Sequence, residues 1–274
     1  EFSYLYRNAW LSANVSGYYS RLENVTEWQN FYNDDENSFT YVSMTGLKKE
    51  YYGVEVGAKF KLTSWLDLKT LGAMSEAKNI NNVNAVYMLS KSAEVYQDKA
   101  YVMNMRESGT PLTVGSIGLN AHVNGWFVNL NANYYDRIYL SYSPSYRYEK
   151  TLKNRHKAHR AFPEIFPEVM TEDETSWRKD AVAQEKGHGG WMVDLSIGKS
   201  VRLKKGSLNF NLMITNLLNN QTIVTGGYEQ NSRSSYTLDS NGEVKNPRYY
   251  QFSKNPKKYY TWGTNGMFQV SYRF

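Results

Sequence analysis

A chain of 274 residues with a formal charge of +6 is long enough for one large β domain or two ordinary ones, and 15% of it is aromatic, with 24 Tyr and 7 Trp. A mean hydropathy of −0.64, without any run near the ~18 apolar residues that a spanning helix needs, excludes a helical membrane protein. The absence of Cys excludes disulfides and thiolate metal sites.

A polar average combined with abundant Tyr and Trp suits a transmembrane β-barrel, in which only alternate residues meet lipid. The chain begins at Glu1 inside a patterned segment, with no Met, basic n-region or apolar h-region, so a mature or truncated piece is expected. Phe2, Tyr4 and Tyr6 alternate up to a break at Arg7-Asn8-Ala9, and a second strand carries Leu11, Ala13, Val15, Gly17 and Tyr19 on one face. From about Glu23 to Lys49 the sequence is rich in Asn, Asp and Ser and predicts a long loop. Tyr52, Val54, Val56, Ala58, Phe60 and Leu62 then oppose Glu55, Lys59 and Lys61, so the second face is wet. After a tight turn at Thr63-Ser64, Leu66, Leu68, Thr70, Gly72 and Met74 oppose Asp67 and Lys69, and a second long loop runs from about Lys78 to Ser108.

Ile117, Leu119 and Ala121 lead to Asn124-Gly125, a dipeptide that favours a type I′ hairpin because both positions need positive φ. The returning strand is the clearest in the chain, with Trp126, Val128, Leu130, Ala132 and Tyr134 against Asn129, Asn131 and Asn133. Its eight steps at ~3.3 Å, tilted by ~40°, rise about 20 Å, close to the ~25 Å apolar band of an outer-membrane barrel. A third long loop covers about Leu140 to Gly190. Trp191, Val193, Leu195 and Ile197 oppose Asp194 and Ser196; the chain turns at Lys204-Lys205-Gly206, and Leu208, Phe210, Leu212 and Ile214 return. A fourth long loop, Asn216 to about Gly263, precedes the last strand, where Phe268, Val270, Tyr272 and Phe274 alternate with Gln269, Ser271 and Arg273.

Short turns therefore alternate with long loops throughout, as in an outer-membrane barrel with its short turns in the periplasm and its long loops outside. A soluble sandwich or lipocalin-like barrel also alternates, but it would put Asn and charge outward and needs no aromatics at both ends of one face. The expected fold is all-β, an antiparallel up-and-down transmembrane barrel of nine strands across residues 1–274 as a single domain. The first strand descends like the last, whereas bacterial barrels have even strand numbers, so the expected piece is the C-terminal part of a larger barrel. The lipid-facing candidates are Trp126, Val128, Leu130, Tyr134, Phe268, Val270, Tyr272 and Phe274.

The stretch Met213–Gln230, MITNLLNNQTIVTGGYEQ, with Asn255-Pro256-Lys257-Lys258-Tyr259-Tyr260 and the closing GTNGMFQVSYRF, resembles the C-terminal end of TonB-dependent outer-membrane receptors of Bacteroidetes type. Asn216-Leu217-Leu218-Asn219 resembles that family's "N-L-(L/F)-(N/D)" at the top of the penultimate strand, and Asp194-Leu195-Ser196-Ile197-Gly198-Lys199 resembles the strand before it. Tyr18-Tyr19 leading to Asn24 resembles an earlier one. The resemblance spans nearly the whole chain and is specific in roughly the last eighty residues. It implies a 22-stranded barrel with an N-terminal plug and a TonB box, neither of which lies in these residues. It also implies nutrient import energised by the TonB complex, with outer-membrane lipids and lipopolysaccharide around the barrel and a surface lipoprotein as partner. A terminal Phe resembles the signal read by the outer-membrane assembly machinery.

Glycans, peptides, iron chelates and cobalamin all stay open as ligands. Alternatives are a smaller self-contained porin or adhesin-like barrel and a membrane-embedded hydrolase. The candidate ligand-binding residues lie in the outer loops: Arg147, Arg155, His156, His159, Arg160, Tyr228, Arg233 and Tyr236. The basic stretch from Arg147 to Arg160 would attract an anionic ligand or lipopolysaccharide phosphates, or it is a solvated loop neutralised by Glu164, Glu168, Glu172, Asp173 and Glu174. His156-Lys157-Ala158-His159 shows no helix pattern and no third ligand, so no metal site and no cofactor are expected. Gly226-Gly227-Tyr228 reads as an outer turn rather than a phosphate loop. Glu55 and Asp194 point to the lumen, without the known spacing that paired hydrolytic carboxylates require. No G-x-S-x-G motif appears, so no enzyme activity is expected, and the local charge without a reading motif argues against nucleic acid.

Overall fold

The structure is a computed structural model that describes residues 1–33, 37–92, 94–229, 235–241, 244–248 and 257–274. In chain order the first strands are β1 Phe2–Arg7, β2 Leu11–Asn33, β3 Ser38–Lys61, β4 Leu66–Asn79, β5 Val83–Leu89, β6 Val95–Ala100, β7 Pro111–Val123 and β8 Trp126–Ile138. A 3-10 turn at Pro144–Arg147 and the helix α1, Glu149–Ala161, come next. They are followed by β9 Gly190–Leu203, β10 Gly206–Thr215, β11 Val224–Tyr228, β12 Ser235–Leu238, β13 Val244–Arg248, β14 Lys257–Tyr260 and β15 Asn265–Arg273.

The expected antiparallel meander is present, in the order β1-β2-β3-β4-β7-β8-β9-β10-β15. Among the described residues β1 pairs only with β2 and β15 only with β10, so the sheet has two free edges. The expected short turns separate these strands at residues 8–10, 62–65, 124–125 and 204–205. Asn124 and Gly125 have φ of 48° and 76°, the positive values a type I′ turn needs.

All four expected long loops are corrected by what fills them. Residues 23–33 and 38–49 continue β2 and β3 as a long antiparallel pair, from Glu27↔Met44 to Asn33↔Ser38. β2 alone measures about 75 Å along the strand, well beyond any bilayer. Residues 78–108 hold the β5–β6 hairpin, and β5 takes the edge of β3 that β4 vacates above Asn79. Residues 140–190 contain α1, so His156 and His159 lie on a helix where none was expected. In the fourth, Gly226 and Gly227 belong to β11, paired with β14, rather than to an outer turn.

Burial divides the molecule in two. Val42, Met44, Leu47, Val83, Ala85, Ala100, Val102, Met105, Tyr142 and Tyr148 form a packed core. All of it lies on the long-loop side, where β5, β6 and the segment leading into α1 pack on the β2–β3 extension. This cap has a normal interior, whereas among the described residues no second layer covers the meander below it.

Register shows why the two faces differ. One row crosses seven strands as Leu11, Phe60, Leu68, Leu119, Leu130, Leu195 and Ile214. The row one residue away, on the other face, reads Ser12, Lys59, Lys69, Gly118, Asn131 and Asp194. On that polar face large side chains lie over facing glycines: a Cβ at Gly198 would stand 2.1 Å from the Phe127 ring, so only glycine fits there.

Candidate functional site

The apolar face is the first candidate surface. The residues expected there fall in adjacent rows on one side: Trp126, Val128, Leu130 and Tyr134 on β8, with Val128 aligned through Ile197 and Leu212 to Phe268. Val270 and Tyr272 continue the same side of β15, and Phe274 is fully exposed beyond it. Charge reaches this face only at its margins. At the short-turn end Lys199 folds over the Trp126 ring, with Nζ 4.9 Å from the centroid and 2.7 Å from the Asn124 carbonyl oxygen it donates to. At the other end Glu76 receives Arg106 Nε at 3.0 Å and also pairs with Arg137, while Asp136 meets Lys186 at 3.0 Å. Tyr19, Tyr52, Tyr134 and Trp191 mark that upper margin, and Trp10, Trp65 and Trp126 the lower one.

A second cluster stands where the polar face meets the cap. Lys49 pairs with Glu27 and, at 2.6 Å, with Glu107, which also accepts from Tyr51 Oη at 2.9 Å. Tyr142 Oη donates to Glu27 at 3.1 Å and receives Asn79 Nδ2 at 3.3 Å. Burial works against the Lys49 charge, but Glu107 and Glu27 more than offset it and hold the ammonium well above its ordinary pKa of 10.5. Burial, together with the Glu27 carboxylate, pushes the Tyr142 phenol far above 10.0, and burial does the same to Tyr148. All three folded pKa values are raised, so their stabilisation is complete below the unfolded values near 10 and is lost as pH rises through the folded ones. The cap is therefore expected to hold to about pH 10 and to loosen above it. Ultraviolet titration at alkaline pH checks this: two tyrosines should ionise only together with loss of cap structure, and smooth ionisation of all tyrosines near pH 10 would refute it.

The outer-loop candidates serve mainly to fasten the cap. Arg147 is 1% exposed and enclosed by Glu229, beside Tyr228, so its guanidinium does not reach solvent as a surface ligand group would. On α1, Arg155 Nη1 donates to the Ala181 carbonyl oxygen at 3.1 Å, and His159 Nδ1 lies 2.7 Å from the Phe166 carbonyl oxygen. Arg160 and His156 both approach Glu174, at 3.8 and 3.7 Å. No group of three or more metal-ligating side chains occurs among the described residues. Tyr228 is exposed on β11; Arg233 and the side chain of Tyr236 lie outside the described residues.

Asn216-Leu217-Leu218-Asn219 forms the corner above β10. Asn216 and Asn219 have φ of 52° and 53°, a left-handed conformation that Asn tolerates better than most side chains. Asn216 N–H donates to Asp194 at 2.9 Å, its Nδ2 to the Trp262 carbonyl oxygen at 2.8 Å, and Asn219 Oδ1 accepts from Thr264 N–H at 3.1 Å. The corner thus ties β9 and β10 to the chain entering β15.

Sequence reasoning missed the Lys49–Glu27–Glu107 cluster, whose members come from three separate segments. It read Lys59, Lys61, Asp67 and Lys69 only as signs of a wet face; counting outward from the tight turn at residues 62–65 would have set them opposite one another. No protein-family model matches the chain, and no curated protein matches it.

Proposed function

We propose that the chain forms part of an outer-membrane β-barrel that imports a nutrient solute, a receptor of the TonB-dependent kind, with its short turns in the periplasm and the cap outside. The observation that carries this reading is the uncharged row from Leu11 to Ile214 across a sheet that, among the described residues, has no second layer. In water a sheet must bury its apolar face against another element, and exposed apolar patches beyond a few hundred Å² are rare; a bilayer removes both difficulties. Aromatic margins and charges confined to them fit the depth profile of such a barrel. A self-closed nine-stranded barrel would need β1 paired with β15, and among the described residues each has its single partner elsewhere, which favours a larger barrel over the smaller porin-like or adhesin-like one. The import role, the TonB complex and a surface lipoprotein as partners rest on the resemblance of the Asn216–Asn219 corner and the closing strand.

Fractionation of the native cells tests the location. The protein should sediment with the outer membrane, and protease added to intact cells should cut in the α1 region while sparing the turn at residues 124–125. Recovery in the soluble periplasm, or equal cleavage at both ends, would overturn the reading.

A further inference from the structure

The polar face places like charges where sheet geometry does not require them. Lys59 stands directly opposite Lys69 across the β3–β4 ladder, and Lys61 opposite Asp67. Like charges facing each other in an antiparallel pair destabilise it. Asp67 relieves only part of this: its Oδ2 lies 2.9 Å from Lys59 Nζ, leaving three ammoniums around one carboxylate. Among the described residues neither Lys61 nor Lys69 has an ion-pair partner of its own. Arg7 extends the Lys59 row through Ser12.

The next strand adds donors. Asn120 follows Lys61 and Asp67 in one row, and its Nδ2 is buried without an acceptor among the described residues. His122 comes two residues later on the same face. Lys59, Asp67, Lys69, Asn120 and His122, with Phe127 and the turn at Asn124-Gly125, line an open recess of about 670 Å³ at the short-turn end of the sheet. Facing Cβ atoms in such a ladder stand about 5 Å apart, a span that a group with two oxygens can bridge from two flexible ammoniums.

We propose that this recess binds an anion, a carboxylate or phosphate group of a small solute held between Lys59 and Lys69, with the Asn120 side chain in the same recess. The site makes anionic solutes the ligand class for the receptor, and its role in import rests on that reading; binding itself does not. An internal anion would also explain why a lysine pair that weakens the empty sheet stands there.

The test uses the full polypeptide in detergent micelles, titrated with sodium phosphate or sodium succinate at ionic strength held constant with sodium chloride. Expected is a saturable rise in Tm. Lys69→Gln should raise the anion-free Tm by removing the repulsion while weakening binding at least about tenfold, and Lys59→Gln with Lys69→Gln should abolish the response. Absence of any response beyond that to chloride, or a response that survives in the double variant, would overturn the site. If both anions bind but the protein fractionates away from the outer membrane, the receptor reading fails and the anion site stands.

Discussion

Arg147→Ala is expected to loosen the cap by about 3–5 kcal/mol while leaving the nine-strand meander paired. Arg147 uses all of its donors. Nε reaches the Val182 carbonyl oxygen at 3.1 Å, Nη1 reaches the Ser143 carbonyl oxygen at 2.9 Å and Glu229 Oε2 at 2.6 Å, and Nη2 reaches the Ala183 carbonyl oxygen at 2.6 Å and Glu229 Oε1 at 2.8 Å. Glu229 completes its own shell with the backbone N–H groups of Ser143 and Glu185, at 3.0 and 3.1 Å. Three chain segments thus meet on one pair of side chains, each 1% exposed. Removing the guanidinium strands a buried carboxylate and three backbone carbonyls, which is why the loss exceeds that of a surface ion pair. Arg147→Lys keeps the charge but not the planar fork and should fall in between. Replacing both partners by Leu should cost less than Arg147→Ala alone, because no unpaired charge remains. Hydrogen exchange across residues 139–189 and 216–229, beside the exchange of β7 to β10, reads the effect. A change within about 0.5 kcal/mol for Arg147→Ala would show that the pair does not hold the cap.

The meander was legible because two local signals agree on it: a period of two, and turns short enough to fix the register of each hairpin. The upper half of the β2–β3 hairpin was not legible, for a physical reason. Register shifts between Leu22 and Val25 and between Val25 and Glu27, with Gly46 at φ 81° on the facing strand, each displace the alternation. Every such shift moves the following side chains to the other face, so a stretch that is continuous strand reads as patternless. The helix α1 escaped for a different reason. Only Leu152 and Ala158 of it are buried, too few to mark an apolar stripe among its Lys, Arg and His residues. The Arg147–Glu229 pair spans 82 positions, and no local pattern carries such a contact. The Lys59–Lys69 pairing sits at the opposite extreme, since the four-residue turn at residues 62–65 determines it.

Leu130→Arg separates a bilayer-facing sheet from one that stands in water. Leu130 lies between Leu119 and Leu195, midway between Trp126 and Tyr134, and is 38% exposed. If that face meets water, an arginine there replaces a partly exposed leucine at the surface and should change stability by no more than about 0.5 kcal/mol, with improved solubility. If it meets hydrocarbon near the bilayer midplane, the same substitution should cost about 2–4 kcal/mol. The neighbouring Asn131→Arg supplies the control, because it adds the same charge to the same strand one residue away. Asn131 faces the polar side directly opposite Asp194, so an arginine there meets an opposite charge and should be close to neutral. The measurement is the urea midpoint for folding of the full polypeptide into phospholipid vesicles, with both variants beside the parent. A large loss for Leu130→Arg alone supports the lipid-facing assignment of the whole row, since its seven members share one register. Equal, small effects for the two variants would mean that the apolar face is covered by something other than lipid, and the membrane reading would fail with it.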